Sequence, residues 1–269
     1  MAVTHITDTA APPDIPVRVI GADDLRAVLR EGFADFLEKR GDLLFVGLIY
    51  PLIGLVAATV SLGGAMLPLF FPIAAGVALL GPLAALGFYE LARRREAGIE
   101  SGWNHFLDVR KRPAFEAIQV VAALLVLIFL AWLVTAAALY ATLMGSAPDS
   151  IGGFLTRLFT TPEGWALIVA GNLAGFAFAV VVLTLSVVSL PMLVDRDVDA
   201  ATALRTSVRA VRANWGVMLR WGATVAILLV LGSLPLFMGL AVVLPWLGYA
   251  TWHLYTRLVD RAALPIALP

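Results

Sequence analysis

Six of the 19 basic residues stand in one connector, Leu91–Pro113 (LARRREAGIESGWNHFLDVRKRP), and about 25 mostly apolar residues run on each side of it. An apolar run of that length, rising about 1.5 Å per residue as a helix, covers the ~30 Å hydrocarbon thickness of a bilayer. A concentration of Arg and Lys, by contrast, stays in water or among headgroups. Hydrophobic residues make up 61% of the 269 and charged residues only 14%, more apolar surface than a water-soluble domain can hide. The expected fold class is therefore an all-α membrane protein.

Read in order, residues 1–22 form a polar, Pro-containing tail, expected to hold little regular structure and to be no signal peptide, since both a basic start and a long apolar core are missing. Asp23–Arg40 opens with helix-capping aspartates and repeats Leu25, Leu29, Phe33 and Phe36 at helical spacing, which predicts an amphipathic helix too short and too charged to span. One membrane domain, 23–258, then holds six predicted spans at about 43–62, 67–91, 117–144, 165–194, 217–231 and 236–255, and a tail, 259–269, follows. Uncharged turns join the first and second spans and the fifth and sixth. The longest loop, 145–164, has room for a short surface helix at 151–159. Pro191 is expected to bend the end of span four. Between spans four and five, Leu204, Val208, Val211 and Trp215 form an apolar stripe, and Arg205, Arg209 and Arg212 a basic stripe one residue on.

With these spans, every Lys and Arg but Arg157 falls on one side of the membrane. The positive-inside rule places both termini and both long connectors in the cytoplasm. The architecture implied is three hairpins, each preceded by a cytoplasmic interfacial amphipathic helix.

That triplet is echoed by an internal repeat. At an offset of 70, Leu29–Arg40 (LREGFADFLEKR) aligns with Ile99–Arg110 (IESGWNHFLDVR), matching Gly32 to Gly102, Phe33 to Trp103 and Phe36 to Phe106. A further shift of 102 sets Leu193, Arg196, Val211 and Arg212 against Leu91, Arg94, Val109 and Arg110. The Gly-aromatic-x-x-Phe-Leu-acidic motif, the six spans and the segment DRDVDAATALRTSVRAVRANW together resemble a family of proteobacterial predicted integral membrane proteins of unknown function. The likeness runs from about Asp23 to Arg257. It implies a bacterial inner membrane location and carries over no catalytic residue.

Chemistry is sparse. With no cysteine there are no disulfides or thiolate ligands, and zero formal net charge excludes a bulk attraction to nucleic acid. His105 and His253 both fall near span ends, whereas a buried haem needs axial ligands at hydrocarbon depth, so no cofactor or metal is expected. Glu90 can pair with Arg94 one turn on. The deepest strongly polar residue is Asn172, inside the small-xxx-small segment Gly171–Gly175, which suits helix packing with Asn172 as a bond between helices. Walker, HExxH and GxSxG motifs are absent, and no enzyme is expected.

Three functions fit. The first is a non-catalytic accessory or scaffold subunit of a larger membrane complex, such as a respiratory one, with membrane lipids and other integral membrane proteins as partners. The second is a small-solute transporter or channel using Asn172, Gln119, Thr135, Thr184 and Ser186. The third is a lipid-interacting organiser that presents Arg205, Arg209 and Arg212 to anionic headgroups. Reporter fusions at Ser150 and at Asn104 should report opposite compartments. The same compartment for both would refute the topology.

Overall fold

The computed structural model describes residues 15–38, 72, 79–145, 150–235 and 237–263. Its helices are α1 Ala22–Glu38, α2 Gly81–Ala84, α3 Leu86–Glu96, α4 Phe115–Leu143, α5 Ile151–Thr160, α6 Pro162–Ser186, α7 Ser189–Asp195, α8 Ala200–Ala213, α9 Trp215–Ser233 and α10 Leu240–Leu258. Among the described residues, three stretches are long and apolar enough to cross a membrane: Phe115–Leu143, Pro162–Asp195 and Trp215–Ser233. The expected first span, and the second before residue 79 apart from Pro72, lie outside the described residues. Span five reaches 19 residues, longer than its sequence suggests. The helix at the expected sixth span, Leu240–Leu258, is not among those three, because His253, Arg257 and several hydroxyl-bearing residues dilute its second half.

Local chemistry accounts for the ends of these helices. The Thr161 hydroxyl accepts from Gly164 N at 3.1 Å with Pro162 next in line, a helix start built from a cap and a residue whose missing N–H costs nothing there. Asp199 caps α8 by accepting from Thr202 N at 2.9 Å. The surface helix expected at 151–159 is α5, capped by Ser150.

Pro191 acts as its position suggests. The helix stops at Ser186 and restarts at Ser189, where the proline lacks its N–H and its ring crowds the carbonyl four residues back. Ser207 of α8 braces the break. Its hydroxyl donates to Thr184 O at 2.7 Å and accepts from Val188 N at 3.3 Å, so backbone groups freed by the interruption stay bonded in a fully buried place. The buried face of α8 accordingly consists of Ala203, Thr206, Ser207, Ala210 and Val211. Of the expected apolar stripe Val211 is buried, while Trp215 is exposed, because close approach to α6 and α7 selects small side chains.

The central connector does not form the expected amphipathic helix. After α3 the chain turns at Gly98, whose φ of +69° suits glycine, and continues as two 3₁₀ turns, Trp103–His105 and Asp108–Lys111. The letters of the repeat are alike but the conformations differ. Gly32 lies inside α1, whereas Gly102 is extended backbone ahead of a 3₁₀ turn. Ser101 and Asn104 replace Glu31 and Ala34 of the first copy, and both lower helix propensity. In the N-terminal tail, residues 15–20 run beside the end of α10 without forming helix or strand, with Arg18 N donating to Leu258 O at 2.8 Å and Asp260 N to Pro16 O at 3.1 Å.

Helix α10 is the centre of the packing. Tyr249, Ala250, Trp252, Leu254, Tyr255 and Leu258 are buried against α1, α3, α7 and α9. Glycines let its backbone come close. A β-carbon on Gly32 would sit 2.5 Å from Ala250 N, and one on Gly248 2.6 Å from the Phe88 β-carbon. Gly32→Ala should therefore destabilise the protein by about 1–3 kcal/mol, read as a lower unfolding temperature in detergent. Gly171→Ala, where nothing lies within 4 Å, should be neutral or stabilising by up to ~1 kcal/mol.

Candidate functional site

The ionisable residues that sequence spacing scatters along the chain gather at the connector end of the bundle. Glu90 of α3 is 1% exposed and accepts from Arg93 Nη2 at 2.7 Å, Arg93 Nε at 3.0 Å and Arg94 Nε at 3.0 Å. The pair with Arg94 is the one its four-residue spacing predicts. Arg94 also bonds across the connector, to Glu100 O at 3.1 Å and Asp108 Oδ2 at 2.9 Å. Asp108 in turn takes Lys111 at 2.7 Å and His105 at 2.8 Å. Arg112 brings a third guanidinium, its Nε 4.0 Å from Glu90 Oε2.

A second group joins α1 to α10. Arg257 forms a two-pronged pair with Glu31 at 2.7 and 2.9 Å, and His253 bonds Asp35 at 2.9 Å. Arg95 of α3 reaches the same patch through Asp35 at 3.0 Å and through Glu38. The third group surrounds Glu96, which accepts from the Trp252 indole at 3.0 Å and from Arg261. Beside it Asp195 accepts from the Tyr255 hydroxyl at 2.8 Å and from Arg196 at 3.0 Å. Each group crosses between elements, so this layer fastens helix ends together.

The residues singled out from sequence are placed as follows. Gly175 faces Trp132 of α4, whose ring comes within 3.4 Å of a β-carbon built there, and Trp132 packs edge-on against Phe178. Gly171 has no such neighbour. Asn172 is exposed and donates to Ile168 O of its own helix at 2.7 Å rather than to a second helix. Arg205, Arg209 and Arg212 share the exposed face of α8. Phe36 is buried, Phe33 packs its ring against Trp246, and Phe106 lies over Gly87 against Phe88, while Trp103 is exposed. The α1–α10 pairs were not foreseen. The available signal was the clustering of Glu31, Asp35 and Glu38 on one side of α1, which required a basic partner from an unknown direction.

The electrostatics follow from the bonding. Lys111 and then His105 hold the Asp108 carboxyl down at about 2. The Arg257 fork lowers Glu31. Burial alone would raise Glu96, but the bonds from Arg261 and Trp252 outweigh it and the net shift is downward.

Residues 70–195 match the model of a family described as "Predicted integral membrane protein (DUF2189)". The match covers α2 to α7, including Glu90, the connector and the Pro191 break. No curated protein and no solved structure matches the chain. The family match and the three apolar helices together support an integral membrane protein.

These depressed carboxylates set a pH dependence. Ionised in the fold more readily than in the unfolded chain, they stabilise it fully above their ordinary values, 3.8 for Asp and 4.5 for Glu, and that contribution is lost as pH falls through their lowered values, about 2 for Asp108. Tryptophan fluorescence in detergent, which senses the Trp252–Glu96 bond, should hold steady from neutrality to about pH 5 and change below about pH 4. A flat profile down to pH 2 would contradict the ion-paired layer.

Proposed function

We propose that this chain is a six-span protein of the bacterial inner membrane, with termini and basic connectors in the cytoplasm, that serves as a non-catalytic accessory or scaffold subunit of a larger membrane complex such as a respiratory one. One observation carries the reading: a division of work between side chains. Charged groups at the connector end are committed to pairs that tie α1, α3 and α10 together, whereas α4, α6 and α9 turn Leu127, Val134, Leu173, Phe176, Ile227 and Leu231 outward. A tied base beneath broad apolar flanks suits a protein that holds other membrane helices in position.

A solute route would need polar groups lining a common path. Thr135, Asn172, Thr184 and Ser186 each bond instead to a carbonyl one turn back in their own helix. That arrangement favours the scaffold reading over a transporter. The side assignment rests on Arg157 being the one basic residue apart from the others.

Crosslinking in native membranes, followed by extraction in mild detergent, tests the proposal. The expected product is an assembly heavier than the 28.7 kDa chain with a defined membrane protein at fixed ratio. Recovery of the uncrosslinked chain alone would overturn it.

A further inference from the structure

Arg112 is the least satisfied guanidinium of the charged layer among the described residues, with two buried nitrogens lacking an acceptor against one, Nη1, for Arg95. The Arg112 side chain is 7% exposed, and among the described residues its Nε and Nη2 have no hydrogen-bond acceptor. The nearest carboxylate, Glu90, already takes three N–H donors from Arg93 and Arg94, and Arg112 stops 4.0 Å short of it. Asp108 is taken by Arg94, His105 and Lys111, and Asp195 by Tyr255 and Arg196. Three guanidiniums thus converge on one carboxylate, which already accepts three hydrogen bonds from the other two. A guanidinium stays charged when buried, and N–H groups left without acceptors are costly to keep from water. The Nε–Nη2 edge is the one that grips two oxygens of an oxyanion in parallel.

Position narrows the chemistry. Arg112 lies three residues before α4, a 29-residue apolar helix, so it sits at the depth where an embedded helix meets headgroups. In the same connector Trp103 and Leu107 are 52% and 56% exposed, an aromatic and an aliphatic side chain suited to that boundary. The commonest oxyanion at that depth is phosphate.

We infer that Arg112, with Arg93 beside it, binds a phosphate group, supplied by an anionic phospholipid headgroup or by free phosphate. The ligand occupies the Nε–Nη2 edge and provides the two missing acceptors. The backbone around it is held by local bonds, Phe106 N to Trp103 O at 3.0 Å and Arg112 N to Val109 O at 3.2 Å. This site does not depend on a protein partner and stands whether or not the scaffold reading does.

The full chain in an uncharged detergent provides the test, with thermal unfolding followed during titration by phosphatidylglycerol, by diacylglycerol, which has similar tails and no phosphate, by inorganic phosphate, and by chloride at matched ionic strength. Stabilisation by phosphatidylglycerol beyond diacylglycerol identifies a lipid source. Stabilisation by inorganic phosphate beyond chloride identifies the free ion, and either result supports the site provided that Arg112→Gln abolishes it. Arg112→Lys, which keeps the charge and loses the fork, should weaken apparent binding about tenfold. Equal shifts with phosphate-bearing and phosphate-free additives, or a shift retained in Arg112→Gln, would overturn the proposal. If Arg112→Gln does not fold, the wild-type comparison and the Arg112→Lys titration decide, an unweakened Arg112→Lys also counting against it.

Discussion

The rest of the structure depends on how closely the backbone of α10 approaches its neighbours. Gly32 admits Ala250, and Gly248 admits the β-carbon of Phe88, so α1 and α3 come within direct contact of the central helix. Inside a bilayer, apolar side chains gain little by leaving lipid for protein, and helices associate through dense packing and polar bonds. Small residues at the crossings meet the first need. The buried column of Tyr249, Trp252 and Tyr255 supplies contact area, and Trp252 bonds Glu96 and Tyr255 bonds Asp195, as buried Trp and Tyr require.

That approach determines the electrostatics. Once α1 lies against α10, Glu31 meets Arg257 and Asp35 meets His253. Arg95 of α3 joins the same patch. Partly buried charges are tolerable only when paired, so packing and pairing enforce one another at this end of the bundle. The polar residues deeper in the apolar helices follow a different rule. Thr135, Asn172, Thr184 and Ser186 each return a donor to a carbonyl of their own helix, so that bond needs no neighbour. Ser207 reaches out to a second helix, and it does so where Pro191 has interrupted the backbone ladder.

Particular elements show how far reading residues could go. Phe115–Leu143, the stretch from Pro162 to Asp195 with its break before Pro191, and the surface helix after Ser150 were all legible, because each depends on local chemistry: unbroken apolarity, a missing N–H, a capping hydroxyl. The connector was misread, since matching letters between Leu29–Arg40 and Ile99–Arg110 hid the substitution of Ser101 and Asn104 for good helix formers. The buried face of α8 was only partly legible for a different reason. Leu204 and Val211 of the apolar stripe pack into the core and Trp215 does not, while the space left by α6 and α7 admits the small Ala203, Ser207 and Ala210.

By itself the sequence determined which segments suit lipid and which suit water, because transfer free energy belongs to each residue and adds along a contiguous run. It also determined where helices begin and break, through bonds that reach no further than one turn. Only the tertiary structure decided which charge faces which. Arg257 and Glu31 are 226 residues apart, and Trp252 and Glu96 are 156 apart. No periodicity encodes such pairs, because they are chosen by the distance at which two backbones can pack.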